Sequence, residues 1–135
     1  MNLSHVQDIQ DPGAFFQAYW ARVAAQDRQA LKAYFTQDAR VRWHCSDEEF
    51  TLEEFLSANC DYPGAWRGEV QRVERTGTGY VTAARVWSGP ASFHVVSFFR
   101  MQNGFIRELD EYWGDDGPAP QWRLARRLGR PIGGG

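Results

Sequence analysis

The chain has 135 residues, 43% of them hydrophobic and 15% aromatic, with a formal net charge of −2. A domain of that size buries roughly 65–70% of the surface its unfolded chain exposes, so one self-sufficient core is expected and disorder is excluded. The near-neutral balance argues against nucleic acid as a partner, and no apolar run approaches the roughly 18 residues that would span a membrane.

In chain order, Met1-Asn2-Leu3-Ser4-His5 shows no cationic stretch followed by an apolar run, so no signal peptide is expected. Cys45 and Cys60 stand in no CxxC spacing. They predict no disulfide framework, and the expected compartment is the reducing cytoplasm. Residues before Asp11 read as a loose lead-in. Asp11-Pro12 opens a first helix, with Asp accepting from free N–H groups and Pro needing no donor at the first helical position. Phe15, Phe16, Tyr19, Trp20 and Val23 recur at three and four and form one apolar stripe. Tyr19 carries a hydroxyl into that stripe, either toward the surface or as a donor inside a pocket.

Asp27 caps a second helix, Arg28 to Phe35, buried through Leu31, Tyr34 and Phe35. Thr36-Gln37-Asp38 reads as a turn. A strand follows from Ala39 to Cys45, with Ala39, Val41, Trp43 and Cys45 opposite Arg40, Arg42 and His44. Ser46 to Glu49 reads as a polar bend. Thr51-Leu52-Glu53-Glu54 is a capping box that starts a third helix, to about Asn59, buried through Leu52, Phe55, Leu56 and Cys60. Asp61-Tyr62-Pro63-Gly64 ends it.

Four strands are predicted next, Trp66 to Thr76, Tyr80 to Trp87, Ser92 to Met101 and Phe105 to Trp113. Asn103-Gly104 marks the last turn as a hairpin, because both residues tolerate positive φ. Strict alternation places Phe105, Arg107, Leu109, Glu111 and Trp113 on one face of the final strand, and Ile106, Glu108, Asp110 and Tyr112 on the other. Gly114 to Trp122 is too rich in Gly and Pro for regular structure, with Trp122 tucking it against the body. Arg123, Arg126, Arg127 and Arg130 then form a basic, Gly-ended tail, a solvated end or a weak anion patch. The expected organisation is a single domain over 1–122 and a tail over 123–135.

The predicted fold class is α+β: three N-terminal helices packed on one face of a strongly curved, mostly antiparallel sheet, leaving a cone with an open mouth. Val96 and Phe98 are apolar residues on the outer face of that sheet. A strand apolar on both faces is covered on both. A second copy is the simplest cover, so a homodimer through the outer sheet face is expected.

The pattern resembles the NTF2-like superfamily, a cystatin-like cone, in its SnoaL-like branch. Three stretches carry the resemblance: Tyr19-Trp20 through Asp27 to Tyr34–Val41, Thr51–Phe55, and Asn103–Ile106 leading to Glu111-Tyr112-Trp113. The resemblance spans roughly Pro12 to Trp122. It implies the fold and leaves the function open, since that superfamily hosts isomerases, cyclases, epoxide hydrolases, dehydratases and binding proteins. Against its steroid isomerases, Tyr19 matches the pocket Tyr, but Trp43 and Ser97 stand where the two acids belong. Against the Asp–Arg–Asp set of its epoxide hydrolases, Glu111 resembles the last Asp and Arg85 the Arg, with Trp87 at the third place.

The residues themselves direct Tyr19, Trp43, Ser97, Leu109, Glu111 and Trp113 into the cone. Glu111 is the leading candidate for acid–base work, with His44 or His94 as an imidazole partner if a bulge re-aims either one. Cys45, Cys60 and His44 imitate a metal site without a fourth ligand, and a nucleophilic Cys60 lacks an evident base. No metal or cofactor is expected. Two main readings follow. One is a small-molecule-binding protein with an aromatic, mostly apolar pocket. The other is an acid–base enzyme (isomerase, lyase or hydrolase type) using Glu111 with a His or Tyr19. A dimeric protein-interaction module is the third.

Overall fold

The computed structural model describes residues 9–133. The expectations for residues 1–8 and for the Gly134-Gly135 end lie outside the described residues.

Helix α1 spans Pro12–Ala25, with the Asp11 carboxylate accepting from the Ala14 N–H at 3.0 Å. It ends at Gln26, whose φ of 57° is left-handed. Asp27 caps α2, Arg28–Lys32, by accepting from the Ala30 N–H at 3.2 Å. The helix expected to reach Phe35 therefore stops early, and the expected turn Thr36–Asp38 lies inside strand β1, Phe35–Trp43. The reason is tertiary. The Tyr34 carbonyl accepts from the Ile106 N–H at 2.8 Å and Phe35 pairs with Ile106, so a distant strand captures the chain there.

His44–Ser46 form a 3-10 turn in place of the expected end of the first strand, and Asp47 reverses the chain with φ 58°. Strand β2, Glu48–Thr51, begins inside the expected polar bend and folds back antiparallel on β1. Its polar sequence suits an edge strand, which has no alternating apolar face to announce it. Helix α3, Leu52–Cys60, starts from the full capping box: Thr51 N–H donates to Glu54 Oε1 at 2.9 Å and Glu54 N–H donates to Thr51 Oγ1 at 3.3 Å.

Strands β3 (Arg67–Arg75), β4 (Gly79–Ser88), β5 (Ala91–Gln102) and β6 (Phe105–Asp115) form the antiparallel meander. The six-stranded order is β2-β1-β6-β5-β4-β3, with β1 parallel to β6. The sheet is thus mixed and open-edged, and the helices bury their apolar stripes in its concave face. Phe16, Tyr19, Trp20 and Val23 of α1 meet Leu109, Val95, Phe99 and Ala84 in one buried core. Phe16 and Tyr19 rings lie 4.7 and 5.3 Å from Phe99. Helix α1 lies so close to β3 that a Cβ on Gly68 would stand 3.0 Å from the Trp20 carbonyl oxygen.

Two expectations about the last strand are corrected. Arg100 pairs with Glu108 but Met101 pairs with Ile106, so Arg107 is the extra residue of a β-bulge. The bulge shifts parity: Ile106 is buried, while Phe105 and Arg107 are exposed. Beyond it, Leu109, Glu111 and Trp113 point inward as alternation predicts. The strand also runs to Asp115, held by the Phe93–Asp115 pair and by Asp116 N–H donating to the Ser92 carbonyl at 2.9 Å. Trp122 does not tuck against the body. It is exposed, on the short helix α4 (Gln121–Ala125), with the Arg123 guanidinium 5.5 Å from its ring centre.

Candidate functional site

The site is built where β4, β5 and β6 run side by side on the concave face. Register places Ser97 between Thr82 and Glu111. Glu111 is only 2% exposed. Its carboxylate accepts from Ser97 Oγ at 2.7 Å, from Trp43 Nε1 at 3.0 Å and from Trp113 Nε1 at 3.3 Å. All three can act as donors and none carries a charge. Burial pushes the Glu111 carboxyl up to about 7, against the pull of the three hydrogen bonds. The group therefore exchanges its proton near neutral pH.

Tyr19 projects from α1 into the same region. Its hydroxyl is the one buried side-chain polar atom without a hydrogen-bond partner among the described residues. Burial, and next the Glu111 charge, raise its pKa well above the usual tyrosine value, so it stays a neutral O–H. Next to Ser97, Thr82 Oγ1 accepts from Trp20 Nε1 at 3.2 Å, which closes the polar layer on that side.

In front of this layer lies a cavity of about 420 Å³. Five rings line it: Trp43, Tyr62, Trp66, Phe93 and Trp113. Trp66 and Phe93 are 5.7 Å apart, Phe93 and Trp113 6.1 Å, and Trp113 and Trp43 6.3 Å, so the rings form a nearly continuous wall. Val23, Ala24 and Val86 add apolar floor, and Glu48 and Asp115 add carboxylates. Trp43 and Trp113 connect the two layers, since each lines the cavity and donates to Glu111.

Of the residues expected in a pocket, Trp43 and Trp113 line this one. Tyr19, Ser97 and Leu109 are fully buried behind it and do not. Glu111 faces the cone as expected but is screened from the cavity by its two indole donors. Both histidines are elsewhere, which corrects their pairing with Glu111. His44 leaves β1 in the 3-10 turn, stacks on Tyr112 with ring centres 4.5 Å apart, and bonds Asp110 through Nε2 at 2.8 Å. His94 bonds Asp116 on the convex face. The register around His94 is unshifted, so strand parity holds there. Arg85 is also on the convex face, donating to Ser92 Oγ at 3.1 Å with its guanidinium 4.6 Å from the Trp87 ring centre, and it cannot join Glu111 in a catalytic set. Cys45 is exposed and Cys60 half-buried, and no three His, Cys, Asp or Glu side chains gather as metal ligands among the described residues.

The sequence reading missed Tyr62, Trp66 and Phe93. Tyr62 and Trp66 flank Pro63-Gly64 in the segment after α3, and an aromatic pair bracketing a turn was the available signal. It says nothing of which wall the turn closes.

No protein-family model and no curated protein matches the sequence. Solved structures do match its shape. The "putative ketosteroid isomerase" of Kribbella flavida superposes with a TM-score of 0.74, 20% identity and 93% of each chain covered. An NTF-2 like protein of unknown function from Burkholderia xenovorans gives a TM-score of 0.71 at 24% identity, over 87% of this chain and 92% of that one. A protein with a ketosteroid isomerase-like fold from Catenulispora acidiphila, in complex with trimethylamine, gives 0.59 at 15% identity, over 70% of this chain and 82% of that one.

Proposed function

Taking as premise the NTF2-like cone fold that these likenesses share with this chain, we propose that the protein binds a small, mostly apolar molecule in the aromatic cavity at the mouth of the cone. The observation that carries this is the 420 Å³ space walled by five rings. Concave, largely apolar sites with a few placed polar groups are the usual form of small-molecule sites. The Catenulispora relative, captured with a small molecule, supports ligand binding by a cone of this kind. The test is a thermal-shift screen against small aromatic, steroid-like, amine and acidic compounds. A ligand at about 100 times its Kd adds roughly 2.7 kcal/mol, several degrees for a domain this size. A hit that Trp66→Leu abolishes supports the reading. No hit with the folded wild type overturns it.

The second reading, acid–base catalysis, rests on the buried Glu111 whose pKa is pushed up to about 7. A carboxyl poised near the working pH suits a general acid or base. In that reading Glu111 exchanges a proton with a bound ligand through a shift of Trp43 or Trp113. Turnover of any screening hit, lost in Glu111→Gln while binding persists, supports it. Equal turnover in the variant removes it.

We also propose that a second copy covers the convex face, where Val96, Phe98 and Tyr112 are exposed side by side. Phe98 and Tyr112 rings are 6.1 Å apart, and an apolar patch of this kind marks an interaction surface. Sedimentation of the wild type as a dimer, and of Phe98→Glu as a monomer, is the expected result. A wild-type monomer at micromolar concentration rejects it.

A further inference from the structure

The cavity wall is rich in acceptors and π faces, and apart from the Tyr62 hydroxyl and the weakly donating Cys45 thiol its side-chain donors are already engaged. All three indole N–H groups on it are committed elsewhere: Trp43 and Trp113 to Glu111 at 3.0 and 3.3 Å, and Trp66 to the Pro63 carbonyl at 2.8 Å. The amides are committed too. Gln26 Nε2 donates to the Asn59 and Tyr62 carbonyls at 3.0 and 2.5 Å, and Asn59 Nδ2 donates to the Val23 carbonyl at 3.1 Å. Ser46 Oγ donates to Glu48 Oε1 at 2.7 Å. Among the described residues no Lys, Arg or His lines the space, whereas Glu48 and Asp115 do.

That inventory selects a ligand chemistry. A carboxylate or phosphate would meet two like charges and no cationic partner. A neutral polar molecule would find few donors for its own acceptors. An ammonium group needs no donor from the wall. It brings positive charge to carboxylates, and it is attracted to the negative faces of aromatic rings, Trp most of all. The apolar floor of Val23, Ala24 and Val86 suits the carbon body attached to that charge.

We infer that the molecule taken by this cavity is a small organic cation, an amine or quaternary ammonium with an apolar body, held against Trp43, Trp66 and Trp113 with its charge toward Glu48 and Asp115. This rests on the binding reading above and narrows it to one ligand class.

The experiment titrates the intact protein with choline, with its uncharged isostere 3,3-dimethylbutan-1-ol, with the anion 3,3-dimethylbutanoate and with the bulkier benzyltrimethylammonium. Binding is followed through the indole N–H signals of the six Trp. The cations are expected to bind about 5- to 30-fold more tightly than the alcohol, which corresponds to 1–2 kcal/mol of cation–π attraction. The anion is expected not to bind. In Glu48→Gln/Asp115→Asn the preference for cations should shrink while binding of the alcohol is unchanged. Both replaced residues are exposed, so the fold is not at risk. Equal or tighter binding of the alcohol or the anion overturns the cation assignment and leaves the binding reading standing. If none of the four binds at millimolar concentration, the cation assignment falls, and the binding reading stands or falls on the thermal-shift screen.

Discussion

On the concave face of β6, Glu111 accepts three hydrogen bonds from neutral donors and, among the described residues, meets no cation. One residue earlier, on the convex face, Asp110 lies between Arg42 at 3.4 Å and His44 at 2.8 Å. Arg42 also reaches Glu49 and Glu108, and its pKa is raised by Glu108 first. Just past the end of β6, Asp116 is held below the usual carboxylate range by its hydrogen bond from Ser92 and then by His94. One strand pair thus handles carboxylates in two ways. Inside, water is excluded, and a charge survives only by being surrounded with oriented dipoles at a cost in pKa. Outside, solvent is present, ion pairs form easily, and each is worth little.

The largest effect expected from this contrast comes from adjacent phenylalanines on β5. Phe99 is 2% exposed and Phe98 46%. Phe99→Ala should cost about 3–5 kcal/mol in chemical denaturation, as core Phe truncations do, whereas Phe98→Ala should change monomer stability by less than about 0.5 kcal/mol. Similar costs at both positions would break the division into a packed and an open face.

The next effect is a pH dependence. The folded Glu111 pKa of about 7 lies above the ordinary carboxyl value of 4.5. The folded state therefore holds a proton that the unfolded state has released, and stability falls as pH rises between those values. The total loss is about 3 kcal/mol. Denaturation midpoints of the wild type at pH 5 and pH 8 should show this fall, and Glu111→Gln should flatten it. A wild type equally stable at both pH values would mean that the dipoles around Glu111 fully replace water.

Removing one of those dipoles sharpens the point. Ser97→Ala takes away the 2.7 Å donor and should cost about 1.5–3 kcal/mol at pH 8, where Glu111 is ionised, with a smaller loss at pH 5. The smallest effect is on the outer face and has the opposite sign. Asp116, lowered by its partners, adds stability above the ordinary carboxylate pKa and loses it as pH falls through its depressed value. Asp116→Asn should cost below about 1 kcal/mol near neutral pH, and nothing in strong acid.

Much of this division was legible before any coordinates. The alternation through β5 and the later part of β6 places Ser97, Leu109, Glu111 and Trp113 on one face and Val96 and Phe98 on the other, because a pleated strand exposes each face every second residue. The capping box at Thr51 and the Asp11-Pro12 start were equally clear, since caps act within one turn. The functional reading fared less well. The sequence brings His44 and His94 to Glu111 only through a bulge. The bulge exists, but at Arg107, where it turned Phe105 outward instead. Strand β2 escaped notice because its pairing with β1 is not written as an apolar alternation.

By itself, then, the sequence determined the order of the first three helices and of five of the six strands, the helix caps, the Asn103-Gly104 hairpin and which residues of the central strands share a face. All of these follow from interactions spanning a few residues. Tertiary structure alone decided where β1 begins, on which side of the bulge Ile106 falls and whether Trp122 is covered. It also decided that Glu111 lies behind two indoles while the ligand space opens in front of them. Those outcomes depend on which distant surfaces exclude water from one another, and burial of that kind has no local signature in the chain.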